Sequence, residues 1–195
     1  MIARIISALV VVLLMSICWS QDSMAGQAEE SLKVRVDEVL NILSSTKPGD
    51  PGRTEKLETT LQTIFDPDEL ARLTLATHWK SFTPEQRARF TSCFVNLLEQ
   101  TYLRHMATFT KAQVTYLGES SLGEGRSEVS TKIVTSTGEL PIVYRFTDKN
   151  GWKVYDVLIE GVSLVQNYRN QFNQVLSKET PAQLIARVEA METAK

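Results

Sequence analysis

Few side chains in this sequence have the type and spacing that catalysis or metal binding requires. His78, His105 and Cys93 lack the HExxH or CxxC spacing of a zinc site. Cys93 lies within an apolar helical pattern, which favours a small buried hydrophobe over a nucleophile. The Gly-Glu-Gly sequence at 123–125 lacks the third glycine of a nucleotide-binding loop, and no GxSxG elbow occurs. We therefore expect neither a metal nor a nucleotide cofactor.

Asp156 is a candidate general base because it falls within an apolar strand pattern, where burial could tune a carboxylate for proton transfer. The alternative is a structural acid that is hydrogen-bonded to backbone or to a neighbouring side chain. We favour the structural role, since such acids are also common in structural networks. Glu160, which precedes Gly161, is similarly interpreted as a residue that could cap the following helix.

Helical spacing of apolar residues predicts the elements that would hold these groups. The first such helix carries Leu32, Val36, Val39, Leu40 and Leu43. Three later helices each begin with a capping side chain, then proline, with Glu or Gln three residues after the cap. Their caps are Asp66, Thr83 and Thr180. The helix from Pro84 is the longest, and its apolar stripe comprises Phe90, Cys93, Phe94, Leu97, Leu98 and Tyr102, extended by Met106 and Phe109.

The period changes from helical to two near Lys111, which predicts four short antiparallel strands. These strands carry Val114 and Tyr116; Val129, Thr131 and Ile133; Ile142, Tyr144 and Phe146; and the run 152–159. Residues 118–125 are predicted to form a loop, residues 137–138 a turn, and the Asn-Gly pair at 150–151 a tight hairpin. Helix returns from about Val162. The pattern indicates an α+β fold with a four-stranded sheet wrapped by several helices.

The last predicted strand is apolar on both of its faces, so both faces need cover. Trp152, Val154 and Leu158 lie on one alternation, and Tyr155, Val157 and Ile159 lie on the other. One face of the sheet could pack tightly while the other holds an apolar cavity.

The N-terminus has the pattern of an export signal. Arg4 precedes an apolar run from Ile5 to Cys18, and Ser-Met-Ala at 23–25 is typical of a cleavage site. The run is shorter than the about 20 residues of a membrane span, although an N-terminal anchor is the alternative. We predict a cleavable signal peptide at 1–25 and a single domain at 26–195. The net charge of −2 without a basic stripe argues against nucleic-acid binding.

The run from Gly151 to Phe172 closely resembles the signature of the MlaC family, also called the toluene-tolerance family. Earlier pieces agree in the same order, so the resemblance spans essentially the whole mature chain. They are Phe65-Asp66, His78-Trp79, the run 82–87, Phe94, Leu97, Leu98 and Tyr102. One departure is Leu-Ala-Thr at 75–77, where the family often has glycine, and it concerns local packing.

The resemblance implies a periplasmic phospholipid carrier rather than an enzyme. Members shuttle diacyl phospholipid between an outer-membrane lipoprotein complex and an inner-membrane ABC transporter with an MCE-domain protein, and so maintain outer-membrane lipid asymmetry. The acyl chains lie in a deep cavity, expected near or above about 1,000 Å³, with the headgroup at the mouth and weak headgroup selectivity. The expected lining residues are Phe94, Leu97, Leu98, Tyr102, Met106, Ile142, Tyr144, Val154, Val157 and Val165.

Two other functions remain open at this point. A cavity enzyme or small-ligand-binding module could use a similar cone-shaped α+β fold, with Asp156 as its base. A structural or adhesive periplasmic protein would instead have a solid core.

Overall fold

The computed structural model describes residues 26–103, 112–135 and 138–193. The predicted signal peptide at 1–25, the turn residue Thr137, His105, Met106 and Phe109 lie outside the described residues. Six α-helices and one antiparallel sheet are present in the described ranges, which confirms the α+β class. Among these residues, no helix is both long enough and apolar enough to span a membrane.

The helices and strands follow the predicted order. The α-helices are α1 (Gln27–Ser45), α2 (Arg53–Ile64), α3 (Pro67–Leu75), α4 (Pro84–Leu98), α5 (Leu164–Leu176) and α6 (Pro181–Thr193). A 3-10 helix (Ala76–Ser81) follows α3, and a π-helical turn (Glu99–Leu103) follows α4. The strands are β1 (Gln113–Gly123), β2 (Arg126–Thr135), β3 (Gly138–Thr147), β4 (Lys153–Ile159) and β5 (Val162–Ser163).

Local hydrogen bonds fix the starts of α4 and α6 as the sequence predicts. The Thr83 Oγ1 accepts a hydrogen bond from the Gln86 N–H at 3.2 Å, and the Gln86 side chain accepts one from the Thr83 N–H at 3.0 Å. Thr180 and Gln183 form the same reciprocal pair, with 2.9 Å from the Thr180 N–H to the Gln183 Oε1. These capping boxes satisfy backbone donors that the first helical turn leaves free.

The start of α3 is confirmed, but the reciprocal half of its capping box is not formed. The Asp66 carboxylate accepts a hydrogen bond from the Glu69 N–H at 2.9 Å, as expected for a cap. The Asp66 N–H instead donates to the Val154 carbonyl at 2.8 Å, and the Glu69 carboxylate is engaged by Arg72 and Lys149. A tertiary contact to β4 has therefore replaced the local one.

The sheet has five strands in the order β1-β2-β3-β4-β5, with every neighbouring pair antiparallel. The prediction of four strands is wrong by one two-residue strand, β5, which continues the meander beside β4. The predicted loop at 118–125 is also wrong, because β1 continues to Gly123 and only two residues connect it to β2. Irregularities in the pairing near Gly118, whose φ is +122°, let the strand continue through a residue that favours turns.

A bulge in β4 corrects the predicted alternation of that strand. Arg145 pairs with Asp156 whereas Phe146 pairs with Val154, so Tyr155 is an extra residue. Val154 and Val157 consequently share one core instead of lying on opposite faces.

The described residues form two large hydrophobic cores and a small third cluster of Leu43 and Leu57. In the first, α4, α5 and α6 meet around stacked Phe90 and Phe94, and Phe172 of α5 packs edge-on against both rings at 5.7 and 5.6 Å. In the second, Ala28 and Leu32 of α1 pack with sheet residues that include Val129, Ile142, Phe146, Val154 and Val157. The helical stripe predicted for α4 thus serves mainly the first core.

Candidate functional site

An apolar cavity of about 680 Å³ lies between the sheet and helices α1 and α2. The α1 contribution is the apolar series Leu32, Val36, Val39, Leu40 and Leu43. The sheet supplies Val114, Ile133, Leu140, Ile142, Tyr144, Val157 and Ile159. Its volume falls within the usual range for ligand pockets, about 300–1,000 Å³, and below the expected 1,000 Å³. Large branched side chains from both walls thus enclose space without filling it.

Five of the expected lining residues border this cavity. Leu98 ends α4 and Tyr102 lies in the π-helical turn after it, while Ile142, Tyr144 and Val157 come from β3 and β4. The structure therefore brings together the end of the long helix and the middle of the sheet. Contact of these side chains with lipid stays a prediction. Met106 lies outside the described residues.

The other four expected residues do not border the cavity, and each has a packing reason. Phe94, Leu97 and Val165 are buried in the first core, because the stripe of α4 that contains Phe94 and Leu97 faces α5 and α6. Val154 is fully buried where the chain at Phe65 runs alongside β4 and forms a bridge with it. These four residues stabilise the fold and do not form the cavity wall.

Helix α1 is the part of the wall that sequence reasoning did not assign to the site. Its five apolar residues repeat at three and four, so the pattern that predicts the helix also marks its cavity face. Periodicity identifies a buried face but does not say whether that face meets a solid core or a void. The sequence contains the apolar periodicity of α1, but only the packing of α1 over the sheet shows that this face borders a cavity.

Besides Tyr102 and Tyr144, the polar side chains of the cavity wall among the described residues are Gln62, Glu99, Thr135 and Glu139. Gln62 and Glu139 are exposed to solvent, whereas Glu99 and Thr135 are partly buried. The Gln62 Nε2 donates a hydrogen bond to the Glu99 carboxylate at 3.4 Å. Burial raises the pKa of the Glu99 carboxyl, and this hydrogen bond opposes the shift.

Strand β3 also contributes the phenol of Tyr144 to the cavity wall. Burial raises the pKa of Tyr144 to about 12, so the phenol is neutral at physiological pH. A neutral phenol among aliphatic side chains is compatible with an apolar ligand.

Asp156 has the structural surroundings that the sequence favours for it. It is 3% exposed, and its carboxylate accepts hydrogen bonds from the Ser163 hydroxyl at 2.7 Å and from the Val165 N–H at 3.1 Å. Arg145 lies 3.7 Å from the same carboxylate. Asp156 does not border the cavity. Ser163, and not Glu160, caps α5, because its hydroxyl accepts a hydrogen bond from the Gln166 N–H.

Cys93 and His78 also lie apart from the cavity. Cys93 is 4% exposed within the first core, and its thiol donates to the Phe90 carbonyl at 3.3 Å, which agrees with a buried packing role. His78 is in the 3-10 helix after α3. His105 lies outside the described residues.

The order of elements, the cavity and the signature run agree with a family comparison. The family described as MlaC protein matches residues 33–190. This chain belongs to the MlaC family. The match covers most of the chain, so the resemblance of the Gly151–Phe172 run to the MlaC signature is confirmed.

Two proteins that are similar to this chain are informative. The intermembrane phospholipid transport system binding protein MlaC of Haemophilus influenzae is 27% identical over 121 residues, or 59% of this chain. The match spans 56% of that relative's length. A phospholipid-binding protein from Ralstonia solanacearum, solved in complex with a phospholipid, superposes with a TM-score of 0.79 at 24% identity. That superposition covers 86% of this chain and 98% of the other, and it shows a common fold.

Proposed function

We propose that this protein is a periplasmic phospholipid-binding carrier that shuttles phospholipid between the outer and inner membranes and so maintains outer-membrane lipid asymmetry. The observation that carries the proposal is the cavity of about 680 Å³, whose wall consists mainly of apolar side chains. The names of both relatives support it, since one is a phospholipid transport binding protein and the other was solved with a phospholipid.

Physical chemistry explains why such a cavity suffices. A diacyl lipid has roughly 30 methylenes, each worth about 0.8 kcal/mol when buried, so exposing both tails to water costs on the order of 20 kcal/mol. A dry apolar cavity removes most of this barrier to crossing an aqueous compartment. Exchange with a membrane is then close to neutral, because the tails are dry in both places. No catalytic residue and no nucleotide is needed, and the partners set the direction.

The partners and the location belong to the same proposal. Residues 1–25 would direct export and be removed, leaving a single lipid-binding domain at 26–195 in the periplasm. An inner-membrane ABC transporter with an MCE-domain protein and an outer-membrane lipoprotein complex would deliver and accept the cargo. The phospholipid is cargo and not a cofactor.

The test compares two valines on the same helix. Val36 borders the cavity, whereas Val34 is 62% exposed to solvent. Native mass spectrometry of protein purified from the periplasm without detergent should show one diacyl phospholipid per chain. Val36→Trp should lower the loaded fraction because the indole occupies cavity space, and Val34→Trp should load like the wild type.

Protein that is empty and takes up no lipid from vesicles would contradict the carrier function. Equal loading of the Val36→Trp and Val34→Trp variants would show that lipid binds elsewhere.

A further inference from the structure

Asn150 differs from every other asparagine of the chain in its neighbour and in its structural setting. Gly151 follows it directly, and no other asparagine precedes a glycine. It lies in the connection 148–152 between β3 and β4, whereas the other five asparagines lie within α-helices. They are Asn41, Asn96, Asn167, Asn170 and Asn173. Inside a helix, the N–H of the following residue is hydrogen-bonded to the preceding turn, and the backbone is held in one conformation.

Contacts with the rest of the fold hold both ends of the connection 148–152. The Asp148 N–H donates a hydrogen bond to the Gly125 carbonyl at 3.0 Å. The Trp152 Nε1 donates one to the Gln27 Oε1 at 3.1 Å. These two contacts tie the connection to the turn between β1 and β2 and to the start of α1. The residues between them therefore form a short tip with fixed ends.

Few contacts constrain the tip itself. Asn150 and Gly151 are both exposed to solvent, and the Asn150 side chain forms no hydrogen bond among the described residues. One isolated backbone bridge pairs Lys149 with Gly151. Gly151 has a φ of +77°, but Asn150 does not have a positive φ, so the pair does not form a type I′ turn, which requires positive φ at both central residues. The side-chain carbonyl carbon of Asn150 can therefore meet the Gly151 nitrogen through rotation about bonds of Asn150, and no Cβ on Gly151 hinders the approach.

We propose that Asn150 is a site of spontaneous deamidation, a covalent modification that converts its neutral amide into a carboxylate as the folded protein ages. The Gly151 nitrogen attacks the side-chain carbonyl carbon of Asn150 and forms a C–N bond. The amide nitrogen leaves as ammonia and takes the proton of the Gly151 N–H. Water then opens the cyclic imide at either carbonyl carbon, which gives aspartate or isoaspartate. The step needs no oxidant, metal or enzyme.

The new carboxylate adds negative charge beside an existing ion pair. Lys149, the residue before Asn150, places its Nζ 3.0 Å from the Glu69 carboxylate. Neither Asn150 nor Gly151 borders the cavity. Deamidation is therefore independent of the proposed lipid binding, and it makes each modified molecule more negative by a single charge.

The test follows every asparagine in the folded protein during incubation at mildly alkaline pH. Peptide mapping by mass spectrometry reads the mass increase that accompanies conversion of an amide to an acid. We expect Asn150 to convert at least about tenfold faster than any helical asparagine. Its rate in the folded protein should stay within about tenfold of its rate in urea, because the tip is exposed. An Asn150 that converts in urea but remains an amide in the folded protein would overturn the proposal.

Two variants check the assignment through the charge change, which anion-exchange chromatography detects. Asn150→Gln keeps an amide at this position but needs a larger ring to cyclise, so the more negative species should no longer accumulate. Asn41→Gln makes the same change at an exposed asparagine of α1 and should leave the conversion at the wild-type rate. A more negative species that accumulates in Asn150→Gln as fast as in the wild type would assign the modification to another residue and overturn the proposal.

Discussion

The Asp156 carboxylate of β4 accepts a hydrogen bond of 3.1 Å from the Val165 N–H, in the first turn of α5. It also accepts one from the hydroxyl of Ser163, the residue that caps the same helix. A buried acid thus ties the sheet to the helix that follows it, and its negative charge lies at the positive end of the α5 dipole. This geometry accounts for an acidic residue in an otherwise apolar strand.

The first prediction concerns this tie. Asp156→Ala leaves a buried N–H and a buried hydroxyl without their acceptor, so we expect a loss of about 2–4 kcal/mol of unfolding free energy. Asp156→Asn keeps one acceptor oxygen and should lose less. Urea denaturation measures both changes. Because Asp156 lies outside the cavity wall, both variants should retain lipid loading at temperatures where they are folded. Loss of loading by folded Asp156→Asn would point to a direct role in binding.

The second prediction concerns acid stability. Glu69 is 5% exposed and is bound by Arg72 at 2.6 Å, Lys149 at 3.0 Å and Arg126 at 3.4 Å. The hydrogen bond from Arg72, followed by that from Lys149, lowers the pKa of Glu69 to about 2 despite its burial. Because the folded-state pKa is depressed, the stabilisation is present above pH 4.5 and is lost as the pH falls toward 2.

The size of this effect follows from the same shift. We expect Glu69 to contribute about 2–3 kcal/mol at neutral pH, a figure reduced for the solvent exposure of its three cations. Unfolding free energy measured between pH 6 and pH 2.5 should therefore fall less steeply in Glu69→Gln than in the wild type. Glu139→Gln removes an exposed carboxylate and should preserve the wild-type slope. Identical slopes for Glu69→Gln and wild type would refute the assignment.

The sequence predicts the features that depend on neighbouring residues, and it does not predict those that depend on long-range packing. The caps at Asp66, Thr83 and Thr180 depend on neighbours within three residues, so their pattern predicts each helix start. The continuation of β1 through Gly118 depends instead on pairing with β2, and the residues around Gly118 do not predict that pairing. The bulge at Tyr155 likewise depends on the pairing of β3 with β4, whose register shifts between Arg145 and Phe146.

The cavity wall also depends on long-range packing. The sequence predicts the apolar series of both α1 and α4, but the packing of the helices on the sheet decides which series faces a void. The stripe containing Phe94 and Leu97 packs against α5 and α6, while that of α1 is held over the sheet at a distance that leaves space. The sequence and its family resemblance predicted a cavity and five of the residues that border it, and the structure adds the α1 side of the wall.

The third prediction uses two adjacent leucines of α4. Leu97 is 3% exposed in the first core, whereas Leu98 borders the cavity. Leu97→Ala creates a new void in a packed core and should lose about 2–5 kcal/mol of unfolding free energy. Leu98→Ala should lose less, because its side chain already borders open space.

Lipid exchange should show the opposite order. Leu98→Ala removes apolar surface from the wall and should speed the release of lipid to acceptor vesicles, while Leu97→Ala should release lipid like the wild type when folded. The two measurements are chemical denaturation and the rate of lipid transfer. Faster release from Leu97→Ala alone would indicate that the lipid contacts the first core and not the cavity.

The fourth prediction concerns a buried arginine that fixes the end of α1. Arg53 is 1% exposed, and its guanidinium donates to the Leu43 carbonyl at 3.3 Å and to the carbonyl and hydroxyl of Thr46. These carbonyls close α1, and Leu43 itself borders the cavity. Arg53→Met removes the donor from the buried Leu43 carbonyl and from the partly buried Thr46 acceptors, and it should lose about 2–4 kcal/mol of unfolding free energy. Lipid should also release faster, because the last turn of the α1 wall loosens. Arg187→Met, at an arginine that is 55% exposed, should leave the unfolding midpoint and the release rate close to wild type.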